Sequence, residues 1–165
     1  MRVLGLTAPV VHTDAERLPF ASNAFDLVYS WGMLHHTPRM TDAVAEAYRV
    51  LKPGGEIRVM LYHRRSWVGL FTYLKFALLK GKPFRSFADV IAHHVESPGT
   101  QALIPEEAQA LLAGFKVLRL ETRLTPYDRL EGSRSGHLCP RFLVDALGDR
   151  FGWFMLIRAV KPVAV

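Results

Sequence analysis

The sequence is poor in sulfur, has no long apolar run, and over one stretch has no acid. Cys139 is the one cysteine in 165 residues. That excludes a disulfide framework and a thiolate metal centre. It fits a reducing, cytoplasmic setting, with Cys139 as a small apolar filler. The longest apolar-rich stretch, SWVGLFTYLKFALLKG, is interrupted by Lys75 and falls short of the roughly 20 residues that cross a bilayer. The N-terminal MRVLGLTAPVVHTD has one arginine and no apolar core of the length that a secretory signal needs. From Arg64 to Arg85 six basic residues occur without an acidic one, in a chain of net charge +6. Such a block suits an anionic lipid, a nucleic acid or an anionic substrate, and equally a solvated cationic face. The seven histidines include two HH pairs but no H-x-x-x-H or H-E-x-x-H. Side chains of adjacent residues diverge on a helix or a strand, so no metal site is expected.

What is present reads as one α/β domain. No repeat or low-complexity tract occurs. Residues 10–13 are a short strand candidate, with Pro9 tolerable at its edge. AFDLVYS, residues 24–30, is a stronger one, β-branched and aromatic after the turn-like ASN. TDAVAEAYRVLKPGG predicts a helix over 41–52, with Thr41 as N-cap and Val44, Ala47, Tyr48 and Leu51 at helical spacing. Pro53, Gly54 and Gly55 stop it, and EIRVMLY, residues 56–62, is the next strand. Strand, helix, strand in this order implies parallel pairing with a right-handed crossover.

The middle is helical. Trp67, Leu70, Phe71, Leu74, Leu78 and Leu79 fall largely on one face, with Lys75 and Lys80 at its margin. SFADVIAHHVES predicts another short helix. IPEEAQALLAGF predicts one with Pro105 in its first turn and acids beside it, which Gly114 closes. Residues 115–124 alternate as a strand, PYDRLEGSRSGHLCP is loop-like, RFLVDALGDRF is a short helix, and WFMLIRAVKP is a final strand.

In open parallel sheets, ligands bind beyond the carboxyl ends of the strands. Asp14 follows the first strand candidate, and Ser30, Trp31 and Gly32 follow the second. A carboxylate only accepts hydrogen bonds, which suits an exocyclic amine or ribose hydroxyls. The Ala15 N–H can serve a ring nitrogen, and Leu18 and Phe20 can cover a flat base. Asp14 alone reads equally as a turn-forming carboxylate.

Four motifs in order, DAERLPF, AFDLVYS, LHHTP and AYRVLKPGG, span Asp14 to Gly55. Together they resemble the class I S-adenosylmethionine-dependent methyltransferases, type 11-like, and most of all the branch with the quinone-biosynthesis C-methyltransferases. The resemblance implies an α/β fold with a Rossmann-like methyltransferase sheet, a C-terminal antiparallel hairpin and a helical insertion over about 64–100. It implies S-adenosyl-L-methionine as cofactor, with Asp14 on the adenine amino group and the Ala15 N–H on a ring nitrogen. Ser30 and Trp31 would lie near its methionine portion. His36 matches a recurrent histidine after the family's fourth strand and is the candidate catalytic base, with packing at that helix start as its other role. Displacement at a sulfonium needs chiefly positioning and exclusion of water, and a base only where the acceptor must lose a proton.

The family's glycine-rich turn after its first strand has no counterpart here, since no G-x-G occurs. Thirteen residues precede Asp14, and a strand–helix–strand unit takes roughly 30. The chain is therefore expected to be a single partial domain over 1–165. It would lack the first two strands, and MRVLGLTAP would be the tail of a preceding helix. Apolar faces beside the fourth-strand position would be exposed. Two functions remain: methyl transfer to a small-molecule or lipid-like acceptor, impaired by the absent loop, or a non-catalytic remnant or interaction module. Residues 67–85 are expected to cap the acceptor site and touch a membrane surface peripherally, with a buried lid helix as the equal alternative. Nucleic acid is not expected as a partner, and oligomeric state stays open.

Overall fold

The structure is a computed structural model, and it describes residues 9–131 and 139–163. Its frame is a five-stranded sheet. β1 (Phe25–Trp31) leads through α1 (Met40–Val50) to β2 (Leu51–His63). α2 (Trp67–Phe76) and α3 (Phe87–His94) then precede the two-residue β3 (Ala102–Leu103). α4 (Pro105–Leu111), β4 (Lys116–Arg123), α5 (Arg141–Leu147) and β5 (Phe154–Val160) complete the order. The sheet runs β1-β2-β5-β4, and β3 pairs with the end of β2. β1 and β2 are parallel, as a helical crossover requires. β5 enters antiparallel between β2 and β4 and pairs with both, so the expected C-terminal antiparallel pair is present.

The β1–α1–β2 unit is built from local signals. α1 buries Met40, Ala43, Val44, Ala47 and Val50 against the sheet. It packs with α4 and Phe115 over Leu51, Ile57, Val59 and Leu61 of β2 and Met155, Ile157 and Ala159 of β5. These β2 and β5 residues alternate along their strands, so they line one face.

The helix boundaries differ from expectation at both ends. α1 begins at Met40 with Arg39 as N-cap and no side-chain cap, so Thr41 is inside the first turn. The Arg39 N–H is satisfied by Glu16 Oε1 at 2.8 Å. At the other end Leu51 is already extended, fully buried and paired with Phe25. Burial and pairing of Leu51 thus end the helix ahead of Pro53. The register with β1 then jumps from Leu51 to Glu56, and Lys52–Gly55 bulges out. Gly54 has φ +80°, and a Cβ on Gly55 would lie 2.9 Å from the Lys52 carbonyl oxygen. Two glycines make that bulge possible.

Residues 10–13 form no strand. The N-terminal loop has only an isolated bridge between Asp14 and Arg17. A strand needs a partner, and among the described residues β1 pairs with β2 alone. MRVLGLTA and residues 132–138 of the loop-like segment lie outside the described residues. The N-terminal loop is fixed instead by α1: Arg49 donates to the Phe20 carbonyl at 2.7 Å and the Leu18 carbonyl at 3.0 Å, and the Leu18 N–H donates to Glu46 at 2.7 Å.

α2 and α3 form a helical pair held by aromatic stacking: Tyr73 on Phe87 at 4.5 Å and Phe76 on His94 at 4.1 Å. The apolar stripe expected from Trp67 to Leu79 is cut short. α2 ends at Phe76, Ala77 turns inward, and Gly81 adopts a left-handed conformation. Leu78 and Leu79 consequently project outward, 48% and 80% exposed, and Phe84 is fully exposed.

Among the described residues the sheet's second face is covered at its top, where Met60, Tyr62, Ile91, Ala102 and Trp153 cluster. Below that, Tyr29, Trp31, Arg58, Arg119, Glu121 and Arg158 line an open groove. Phe25, Leu27, Tyr29 and Trp31 are exposed along β1, whose other edge has no strand partner among the described residues. No helix among the described residues is long and apolar enough to cross a membrane.

Candidate functional site

Ser30, Trp31, Tyr62 and the turn that carries His35 and His36 lie at the carboxyl ends of β1 and β2. Ser30 is buried near the end of β1, and its hydroxyl has no hydrogen-bond partner among the described residues. Trp31 ends the strand, half exposed, stacked on Tyr29 and edge-on to Phe154. Gly32, at φ +72°, then turns the chain into a short 3-10 turn, Leu34–His36.

Asp14 is exposed. Its Oδ1 accepts the Glu16 N–H at 2.9 Å and its carbonyl accepts the Arg17 N–H at 3.1 Å. It therefore forms the turn-making carboxylate that its sequence setting allows. Ala15 is half-buried against the core beneath α1. Among the described residues no hydrogen bond connects this loop to Ser30 or Trp31; the loop is held in place by Arg49, Glu46 and Glu16.

The histidines behave otherwise than their adjacency suggests. His35 and His36 sit in a 3-10 turn, and their ring centroids are 4.4 Å apart. Divergence was expected for a helix or strand, but the turn geometry brings the rings together. His35 is fully buried and stacked at 3.8 Å on Tyr62. Tyr62 is stacked in turn on Trp153 at 4.2 Å. Neither nitrogen of His35 has a hydrogen-bond partner among the described residues. Burial, reinforced by neighbouring His36, lowers its pKa to about 4.

His36 reaches across the fold. Its Nε2 is 3.0 Å from Glu96 Oε2. Its Nδ1 is 3.0 Å from the Ser97 hydroxyl and 3.2 Å from that of Thr100. The Tyr62 hydroxyl donates to Glu96 Oε1 at 2.5 Å, and burial, with this bond to Glu96, pushes the phenol pKa upward. Glu96 holds a left-handed backbone, φ 52°, which is costly for a side chain of its type. The Gln101 N–H and side-chain amide donate to the His35 and Thr37 carbonyls, both at 2.9 Å, fastening the segment after α3 to the turn after β1. Sequence reading singled out His36 but missed Glu96, Tyr62, Ser97 and Thr100. Their partners lie more than 30 residues away, and no local pattern marks them.

Known proteins similar to this chain bear on its family and fold. Residues 2–59 match the methyltransferase domain family. The ubiquinone/menaquinone biosynthesis C-methyltransferase UbiE of Neisseria meningitidis is 36% identical over 97 residues, 56% of this chain and 40% of that protein. UbiE of Cereibacter sphaeroides is 56% identical over 48 residues, 28% of this chain and 19% of that protein. The chain thus spans less than half the length of these relatives. Among solved structures, an S-adenosylmethionine-dependent methyltransferase of Thermotoga maritima superposes over 97% of this chain and 66% of its own, with a TM-score of 0.62 and 23% identity. The cyclase SpnF matches over 92% of this chain and 55% of its own, with a TM-score of 0.54 and 20% identity. A cyclase on the same frame shows that the fold alone does not set the reaction. This protein is similar in sequence to the methyltransferase domain family over residues 2–59 and to the quinone-biosynthesis C-methyltransferases, and over the described chain it shares the fold of S-adenosylmethionine-dependent methyltransferases.

Proposed function

We propose that the chain contributes to S-adenosylmethionine-dependent methyl transfer onto a small-molecule or lipid-like acceptor. The carrying observation is the unpartnered, buried Ser30 hydroxyl at the carboxyl end of β1, beside the exposed Trp31 ring. A buried hydroxyl without a partner costs about 1–3 kcal/mol, and a polar ligand group at the strand end removes that cost. Asp14 and the Ala15 N–H are proposed for the adenine end. The cofactor, when bound, supplies a methyl group already activated on a sulfonium.

The protein's part is to orient and to shield. Trp31 offers an apolar wall, and the segment held to the turn by Gln101 closes one side. His36 stands at the proposed acceptor end, where it takes the acceptor's proton if one must leave, with Glu96 behind it. A lipid-like acceptor is supported by exposed Leu79 and Phe84 beside Lys80 and Lys82, which suit a peripheral contact with an anionic membrane. Calorimetric titration of the purified chain with S-adenosylhomocysteine tests the reading. Saturable 1:1 binding is expected. A flat titration with folded protein would favour the non-catalytic remnant.

A further inference from the structure

We propose that His35, His36 and Glu96 form a binding site for a divalent transition-metal ion of the zinc type. This goes beyond methyl transfer and does not depend on it. One ligand atom from each of the three side chains lies within 4.8 Å of the others. Two imidazoles and a carboxylate are the donor set of many zinc sites that keep one position open for water or substrate. His36 Nε2 and Glu96 Oε2 are 3.0 Å apart. Ligands on a tetrahedral ion at about 2.0–2.1 Å are roughly 3.3 Å from each other, so that pair is already near coordinating distance. His35 closes by a contraction of the partly exposed His36 and Glu96 side chains toward it.

Two further features point to a ligand. His35 is fully buried, neither ring nitrogen has a partner within hydrogen-bonding geometry among the described residues, and the Met60 backbone offsets its burial only in part. Simple packing would favour an apolar ring there, because a buried nitrogen without a partner is costly. A metal ion removes that cost. The outer partners also have the arrangement that orients ligands: the far nitrogen of His36 faces the Ser97 and Thr100 hydroxyls, and the far oxygen of Glu96 accepts from Tyr62. The left-handed backbone of Glu96 is what delivers its carboxylate to the histidines. With the ion bound, His36 coordinates through Nε2 and no longer serves as the base. An acceptor hydroxyl at the open position would then be acidified by the metal itself.

The test is a Co2+ titration of the chelator-treated full chain, read by visible absorption, followed by displacement with Zn2+. One equivalent of Co2+ with tetrahedral or five-coordinate bands, bleached by Zn2+, is expected. Glu96→Gln and His36→Gln should each weaken uptake at least tenfold, while His93→Gln, an exposed histidine on α3, should not. Circular dichroism verifies the fold of each variant. Absence of stoichiometric uptake, or uptake unchanged in folded Glu96→Gln, overturns the site. Metal uptake without S-adenosylhomocysteine binding would retain this site and reject the cofactor reading; the reverse pattern would do the opposite.

Discussion

The Lys161 ammonium donates to the Leu51 carbonyl at 2.7 Å, just beyond the last residue of α1. It also donates to the Tyr48 carbonyl and to the Asn23 side chain, both at 2.9 Å, and lies 4.6 Å from the Tyr48 ring centroid. One nearly buried cation thus satisfies carbonyls that the end of a helix leaves open, at the end of the helix dipole that favours positive charge. Lys161→Met should destabilise the fold by about 2–3 kcal/mol, since charged hydrogen bonds to buried acceptors are lost. Urea unfolding followed by far-UV circular dichroism measures it.

Asp128 plays the corresponding part near the C-terminus. Its Oδ2 accepts the Thr125 N–H at 2.8 Å, the Thr125 hydroxyl at 2.9 Å and the Trp153 N–H at 3.0 Å. The residue is fully buried, and burial raises its pKa against these opposing bonds. Asp128→Ala should cost about 2–4 kcal/mol by leaving two buried N–H groups unmet. Asp128→Asn keeps one acceptor oxygen and should cost less. A denaturation series of the two variants reads the difference.

Acid should loosen the N-terminal loop through Glu46. The Arg49 guanidinium bonded to it lowers its pKa from the ordinary 4.5 to about 2, with the Leu18 N–H assisting against desolvation. A depressed folded pKa contributes stability that is fully present above about pH 4.5 and lost as pH falls toward 2. The stability gap between the native chain and Glu46→Gln should therefore narrow across that window. Thermal melts at several pH values check it, and a gap that widens on acidification would reject the assignment.

The exposed apolar residues after α2 give a membrane prediction. Leu79 and Phe84, flanked by Lys80 and Lys82, should bring the chain to vesicles containing phosphatidylserine in a flotation assay. Leu79→Ser with Phe84→Ser should abolish flotation and leave the melting temperature unchanged, because neither side chain is packed. Flotation of the double variant equal to the native chain would remove the membrane contact.

Sequence reading located what local periodicity controls. The β1 strand, α1 and the final strand sit within a residue or two of expectation, because their faces are fixed by alternation or by helical spacing, whereas β2 begins at Leu51, five residues before the expected start at Glu56. It placed a strand at residues 10–13, where pattern alone cannot say whether a neighbour exists to pair with. It extended the helix to Lys52, where burial of Leu51 in the sheet overrides helix propensity. It kept Leu78 and Leu79 on the α2 stripe, although Ala77 and Gly81 turn the chain first. The cluster around His36 was the least legible. Glu96 lies 60 residues away and reaches it only through a left-handed backbone, which no helix or strand pattern announces.

Ser30→Ala tests the central claim most directly, because folding and binding should respond in opposite directions. Removing a buried hydroxyl that has no partner among the described residues should leave stability unchanged or raise it by about 1 kcal/mol. The same change should weaken S-adenosylhomocysteine binding at least threefold in a calorimetric titration. A variant that is stable and binds S-adenosylhomocysteine as tightly as the native chain would contradict the placement of the cofactor at the end of β1.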